Sequence, residues 1–295
     1  MKPQIFLVTT ICLLVLTACK PKNTDDIESM FINIGANTRV HCKVCGDGNQ
    51  AIVFVHGFGC DVKAWDCQVE ELCGDYRLVF VDLPGYGKSD KPHIDYTLDY
   101  FAQSVEKVMD SLQIDKAIFV GHSLGTPICR QIFFNYPERV SAICDVDGVY
   151  CFYPADTIYE EAYKASLDDF VNLFHGDDCR QNIKHFAKQL SCYNTPPEVC
   201  DYAVMTMPQT PEYVAFSTMS NLVDHKYWTG RQVTVPTLIF CTQNSDIPVD
   251  NYQKMDSLYS DMHYIELTDI GHFIMMENPK MFNEELCRWI EKIKP

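Results

Sequence analysis

Ala117-Ile118-Phe119-Val120-Gly121-His122-Ser123-Leu124-Gly125-Thr126 is the stretch on which the reading of this chain turns. A short β-rich apolar run enters Gly-x-Ser-x-Gly, and an amphipathic segment, residues 127–136, leaves it. The pattern predicts strand, sharp turn and helix. A serine in such a turn takes a strained backbone conformation, tolerated because glycines two residues either side carry no Cβ to collide with neighbouring backbone. The turn lifts the hydroxyl clear of the sheet and sets it near the positive end of the following helix dipole. Ser123 is therefore read as a nucleophile, because strand before and helix after give the pentapeptide a meaning that a bare glycine turn lacks.

Outward from that turn, strands and helices alternate. Residues 30–34 and 38–44 read as a hairpin turning at Gly35-Ala36-Asn37. Ala51-Ile52-Val53-Phe54-Val55 is a continuous apolar run of the kind buried on both faces of a parallel sheet, and it feeds His56-Gly57-Phe58-Gly59. A helix is expected over 62–73, a strand over 77–81 and a long amphipathic helix over 96–112. After Ser123 come a strand at 140–146, a long interruption, strands at 235–241 and 262–267, and a closing helix at 279–293. Such alternation implies a mainly parallel sheet with helices on both faces.

Composition narrows the function classes. With 295 residues, 47% hydrophobic and 22% charged, the chain is long enough for one large α/β domain with an insertion. A formal net charge of −16 offers no basic patch to neutralise phosphates, which argues against nucleic acid. At the amino terminus, Lys2 precedes an apolar run over 5–16 that is too short to span a membrane comfortably. It ends in Leu16-Thr17-Ala18-Cys19, which resembles a bacterial lipoprotein signal. The resemblance implies cleavage before Cys19, lipidation of that cysteine, and an exported, membrane-anchored protein whose residues 19–29 form a polar tether. Cys12 would leave with the signal at 1–18 and Cys19 would carry lipid. Thirteen of the fifteen cysteines then remain, an odd number. Cys129, Cys144, Cys241 and Cys287 lie in apolar runs and read as small buried hydrophobes. A disulfide among Cys60, Cys67 and Cys73 stays open. Cys42-Lys43-Val44-Cys45 lacks the second ligand pair a zinc site requires.

His56-Gly57-Phe58-Gly59, the segment from Asp82 to Asp90, Gly121 to Gly125, Asp246 and Gly271-His272-Phe273 together resemble the α/β-hydrolase superfamily. The similarity runs over roughly residues 30–293, with the motifs in the order Ser, acid, His found in that fold. It implies a core at 30–147 and 233–295, with a helical cap at 148–232 inserted after the sixth strand. A serine hydroxyl needs a base within hydrogen-bonding reach. His272, after a strand and short turn, is the candidate among nine histidines. An acid must orient that imidazole. Asp246, in the loop after the strand ending at Cys241, is the preferred residue, and Asp147, after the preceding strand, is its rival. Asp82 and Asp90 read as loop architecture.

The backbone N–H groups of Phe58 and Leu124 are expected to meet the oxyanion. Phe152, Tyr153, Phe170 and Phe174, with Met205, Met207 and Phe216, are the candidates to line an apolar cap pocket. His175, His185 and His225 lack ligand spacing, and no metal or organic cofactor is implied. The expectation is a serine hydrolase acting on a small ester, thioester or amide through an acyl-enzyme. Serine at 123 argues against the dehalogenase and epoxide-hydrolase branches, whose nucleophile is aspartate. A proline-iminopeptidase-type aminopeptidase or a carbon–carbon bond hydrolase is the alternative enzyme. A catalytically silent binding protein is the alternative of another class.

Overall fold

The computed structural model describes residues 27–154, 157–191, 193–228, 230–242 and 255–294. Eight strands form one sheet: β1 (Glu28–Gly35), β2 (Thr38–Cys45), β3 (Ala51–Val55), β4 (Arg77–Val81), β5 (Ala117–His122), β6 (Val140–Val146), β7 (Thr237–Thr242) and β8 (Met262–Leu267). Their spatial order is β1-β2-β4-β3-β5-β6-β7-β8. From β4 onward every pairing is parallel, and β2 alone runs against the rest. The sheet is the mainly parallel α/β architecture that the alternation predicts. β3 and β5 lie at its centre, and every residue of both is buried, as the apolar runs Ala51–Val55 and Ala117–Val120 require.

Helices α1 (Asp66–Leu72), α2 (Leu98–Ser111), α3 (Gly125–Asn135), α8 (Ile274–Glu277) and α9 (Pro279–Ile293) belong to the sheet-bearing parts, and α4 (Thr157–Asn172), α5 (Cys179–Gln189), α6 (Pro197–Thr206) and α7 (Glu212–Leu222) lie between β6 and β7. α2 shows how sequence fixes its own placement. Thr97 caps it by accepting the Tyr100 N–H at 3.0 Å. Leu98, Phe101, Ala102, Val105, Val108 and Met109 then recur at helical spacing on the buried face. Two expectations are corrected. The predicted helix at 62–73 divides into a 3₁₀ turn at Val62–Trp65 and α1, because Asp61 caps the 3₁₀ turn through Lys63 N–H. α3 is not amphipathic: every residue from Gly125 to Phe133 is buried, including Arg130 and Gln131, since it packs on β5, β6 and α2.

The four inserted helices are tied to the rest by side-chain hydrogen bonds. Tyr213 donates to Lys91 O at 2.6 Å, Ser217 Oγ accepts from Tyr96 N at 2.8 Å, and Tyr86 donates to Thr218 Oγ1 at 2.8 Å. Residues 1–26, with the signal-like run and Cys19, lie outside the described residues, as does Asp246. Among the described residues, no helix is long and apolar enough to cross a membrane, and Cys60, Cys67 and Cys73 are not joined by a disulfide.

Candidate active site

The site begins at the elbow. Ser123 has φ +52° at the junction of β5 and α3, a left-handed conformation that an L-residue holds only when its surroundings fix it. Its N–H donates to Val146 O at 3.0 Å, and its carbonyl accepts from Thr126 N–H at 3.0 Å. The flanking glycines are required by close approach rather than by φ. A Cβ on Gly121 would lie 2.6 Å from Gly125 C and O, and one on Gly125 would lie 2.2 Å from Val55 O. Neither neighbour is a side chain that can swing away. Gly125→Ala is expected to lower the unfolding free energy by about 1–3 kcal/mol, the range for overpacking a filled core. Chemical denaturation of the variant against wild type measures it.

His272 lies between β8 and α8, and its imidazole reaches the carboxylate of Asp147. Nδ1 and Asp147 Oδ2 are 2.6 Å apart, with the carboxylate almost wholly buried. Asp147 Oδ1 accepts from Thr242 N–H at 3.0 Å and from Thr242 Oγ1 at 3.2 Å. A carboxylate so surrounded accepts from the imidazole. Nδ1 therefore carries the hydrogen, and Nε2 is left with the lone pair a base needs. Asp147 itself has φ +44° and is pinned by its N–H to Phe240 O at 2.8 Å. The rival of the two candidate acids is thus the one seen beside the histidine. His272 is partnered by Asp147, at the end of β6, whereas Asp246 lies outside the described residues. Asp147 immediately follows β6, and its left-handed turn aims the side chain back across β7 toward the histidine loop.

Several neighbours escaped the sequence reading. Glu277 of α8 cradles the histidine loop: Gly271 N–H donates to Oε2 at 2.8 Å, Thr195 Oγ1 to Oε2 at 2.9 Å and Phe273 N–H to Oε1 at 3.2 Å. His272 N–H donates to Leu190 O, in the inserted segment, at 3.0 Å. His122 Nε2 donates to His272 O at 3.0 Å. Burial, reinforced by the neighbouring His272, holds the His122 imidazole well below its ordinary pKa, so it stays neutral. His56 is neutral for the same reason, burial. Its Nδ1–H donates to Gly57 O at 2.8 Å and its Nε2 accepts from Leu83 N–H at 3.0 Å, fixing the loop that carries Phe58.

Ser123, His272, Asp147, Phe58 and Leu124 all line one cavity of about 870 Å³. The inserted helices add Tyr163, Leu167, Phe170, Phe186, Met219 and Leu222 to its walls. Of the expected apolar lining, Phe170 and Met207 are present. Met205 is exposed instead, and Phe174 is packed in the core between Phe58, Phe170 and Phe186. Among the described residues, neither arginine nor lysine lines the cavity, and no three metal-ligating side chains come together.

A chain in which the elbow serine, a histidine–aspartate pair and an inserted helical wall share one cavity also matches a family by sequence. The model of the alpha/beta hydrolase fold matches residues 50–279. The chain belongs to that family. Its relatives include a 2-hydroxy-6-oxononadienedioate/2-hydroxy-6-oxononatrienedioate hydrolase of Klebsiella pneumoniae, 24% identical over 91% of this chain and 98% of that protein. A pimeloyl-[acyl-carrier protein] methyl ester esterase of Salmonella newport is 39% identical, over 36% of this chain and 40% of its own length. Among solved structures, an esterase from Exiguobacterium antarcticum shares the fold with a TM-score of 0.76 and 20% identity, over 90% of this chain and all of that one. This α/β-hydrolase accordingly has hydrolases, esterases among them, as its relatives.

One buried group of the hydrolase lies just behind the site. Asp145 of β6 accepts hydrogen bonds from Tyr259 and, at 3.1 Å, from Tyr150, whose ring lines the cavity. Burial pushes its carboxyl up to about 7, against the opposing effect of Tyr259 and Arg130. The native state therefore binds this proton more tightly than the unfolded chain does. The stabilisation is complete below the ordinary carboxylate range and is lost as pH rises through about 7. Relative to Asp145→Asn, wild type is expected to lose stability between pH 5 and pH 8, which denaturant titrations at the two pH values measure.

Proposed function

We propose that this α/β-hydrolase cleaves esters of neutral, largely apolar acyl groups through an acyl-enzyme on Ser123. The observation that carries the proposal is the Nδ1–Asp147 hydrogen bond, which leaves the His272 Nε2 lone pair in the cavity that Ser123 also lines. In the first step Ser123 Oγ attacks the carbonyl carbon while Nε2 takes its proton. The backbone N–H groups of Phe58 and Leu124 receive the developing oxyanion, each worth on the order of 3 kcal/mol of transition-state stabilisation. Imidazolium, stabilised by Asp147, then protonates the departing alcohol, and a water repeats the sequence to release the acid.

The walls favour this substrate class over the main enzyme alternative. A dioate such as the one in the Klebsiella relative's name carries two carboxylates, whose desolvation calls for cationic partners. None lines this cavity among the described residues, whereas Leu167, Phe170, Phe186, Met219 and Leu222 offer an apolar acyl channel. A panel of p-nitrophenyl esters from C2 to C8 tests the assignment. Turnover of neutral esters well above that of a dicarboxylate monoester is expected, and the reverse ranking would refute it. The proposal includes export and membrane attachment through lipidated Cys19, supported by the Leu16-Thr17-Ala18-Cys19 pattern. A diacylglyceryl-modified amino-terminal Cys19 in the mass spectrum of membrane-extracted protein is the expected result.

A further inference from the structure

A second serine–histidine–aspartate chain lies away from the cavity, at the antiparallel edge of the sheet. Ser29 Oγ of β1 is 2.9 Å from His41 Nε2 of β2, and His41 Nδ1 is 2.7 Å from Asp82 Oδ2 at the end of β4. His41 and Asp82 are completely buried, whereas Ser29 is exposed on the edge strand. The direction of each bond follows from the partners. Asp82 also accepts from Val62 N–H at 2.7 Å and from Lys88 N–H at 2.8 Å, so its carboxylate is an acceptor on every side. The His41 hydrogen therefore sits on Nδ1, Nε2 is an acceptor, and Ser29 O–H donates to it. A general base is thus already engaged with the proton of an accessible alcohol, the relation that makes serine nucleophilic. The imidazole cannot rotate away. His41 N–H donates to Ser89 Oγ at 2.8 Å, Ser89 Oγ donates to Asp82 O at 2.6 Å, and Asp82 N–H donates to His41 O at 3.0 Å. Lys43 stands directly opposite Ser29 in the β1–β2 register, its ammonium paired with Asp66 Oδ1 at 2.8 Å.

We propose that Ser29 is a second nucleophile, a covalent modification site for activated acyl or phosphonyl donors, independent of the site at Ser123. With an aryl ester, the Oγ–acyl bond forms and the acyl–aryloxide bond breaks. The Ser29 proton passes to His41 Nε2 and on to the departing aryloxide, leaving acyl-serine and a phenol. None of Ser29, His41 or Asp82 lines the cavity, so the modification is separate from the site at Ser123.

The test uses the Ser123→Ala protein, which removes the principal nucleophile, treated with an alkyl fluorophosphonate and mapped by peptide mass spectrometry over time. In that reaction Ser29 Oγ bonds to phosphorus, fluoride leaves, and the proton goes through His41 to solvent. Ser29 is expected to be modified at least tenfold faster than the other exposed serines of the same protein, a comparison that requires no change at the buried pair. His41→Gln, where circular dichroism shows it folded, is expected to abolish that advantage, and Ser29→Ala to leave ester hydrolysis by the otherwise wild-type enzyme unchanged. Modification of Ser29 no faster than of the other serines would overturn the proposal. That result would leave the role of Ser123 untouched, since Ser123 is absent from the test protein.

Discussion

Ser123→Ala is expected to lower kcat/KM for a short-chain aryl ester by on the order of 10⁴-fold or more, because it removes the nucleophile of the proposed acyl transfer. The fold should survive the change. Ser123 contributes backbone hydrogen bonds to Val146 and Thr126 that alanine retains, and the φ of +52° strains alanine no less than serine. Stability within about 1 kcal/mol of wild type, measured by denaturant, would show that the loss is chemical. Fluorophosphonate labelling at residue 123 should vanish in parallel. A variant retaining more than a tenth of the wild-type kcat/KM would remove Ser123 from the mechanism.

Asp147→Asn carries the second large effect. Replacing the orienting carboxylate of such a triad lowers kcat by on the order of 10⁴-fold, because the amide no longer holds the tautomer that leaves Nε2 unprotonated. Here Asp147 Oδ1 is occupied by Thr242 and Oδ2 by His272. An amide nitrogen placed toward His272 would present a donor to a donor, and one placed toward Thr242 N–H would do the same there. The expected signature is a large fall in kcat with KM changed by less than about threefold, since Asp147 acts on the chemical step. Asp246→Asn, measured alongside, is expected to change kcat by less than about tenfold. The opposite ranking of the two variants would restore the acid to the loop after β7.

The strands and the elbow were legible because their signals are local. β3 and the run of β5 from Ala117 to Val120 are apolar and lie at the sheet's centre, and the spacing of Gly121, Ser123 and Gly125 is imposed by backbone contact that no other residue tolerates. His272 could be found from its place after β8 in a Gly-His-Phe context. The choice of acid could not be made locally, because both Asp147 and Asp246 follow a strand-like run in the sequence. What brings Asp147 to His272 is a turn with φ +44° and a contact across 125 residues, and neither leaves a mark in sequence. Glu277 was missed for the same reason. A glutamate at the end of a short helix is unremarkable until Gly271, Phe273 and Thr195 are seen to converge on it. The burial of α3 all round likewise depends on which elements cover it. Cavity lining was legible only in small part: of the seven apolar candidates Phe170 and Met207 line it, while Met205 carries the same kind of side chain and faces solvent.

The central claim is that acyl transfer passes through Ser123. The most direct measurement is rapid acid quench during turnover of a p-nitrophenyl ester, followed by peptide mass spectrometry. The account predicts an acyl adduct on the peptide containing Ser123, formed with the first burst of p-nitrophenol and decaying at the steady-state rate. Sustained hydrolysis with residue 123 unmodified at every time point, and the adduct on another residue or none, would contradict it.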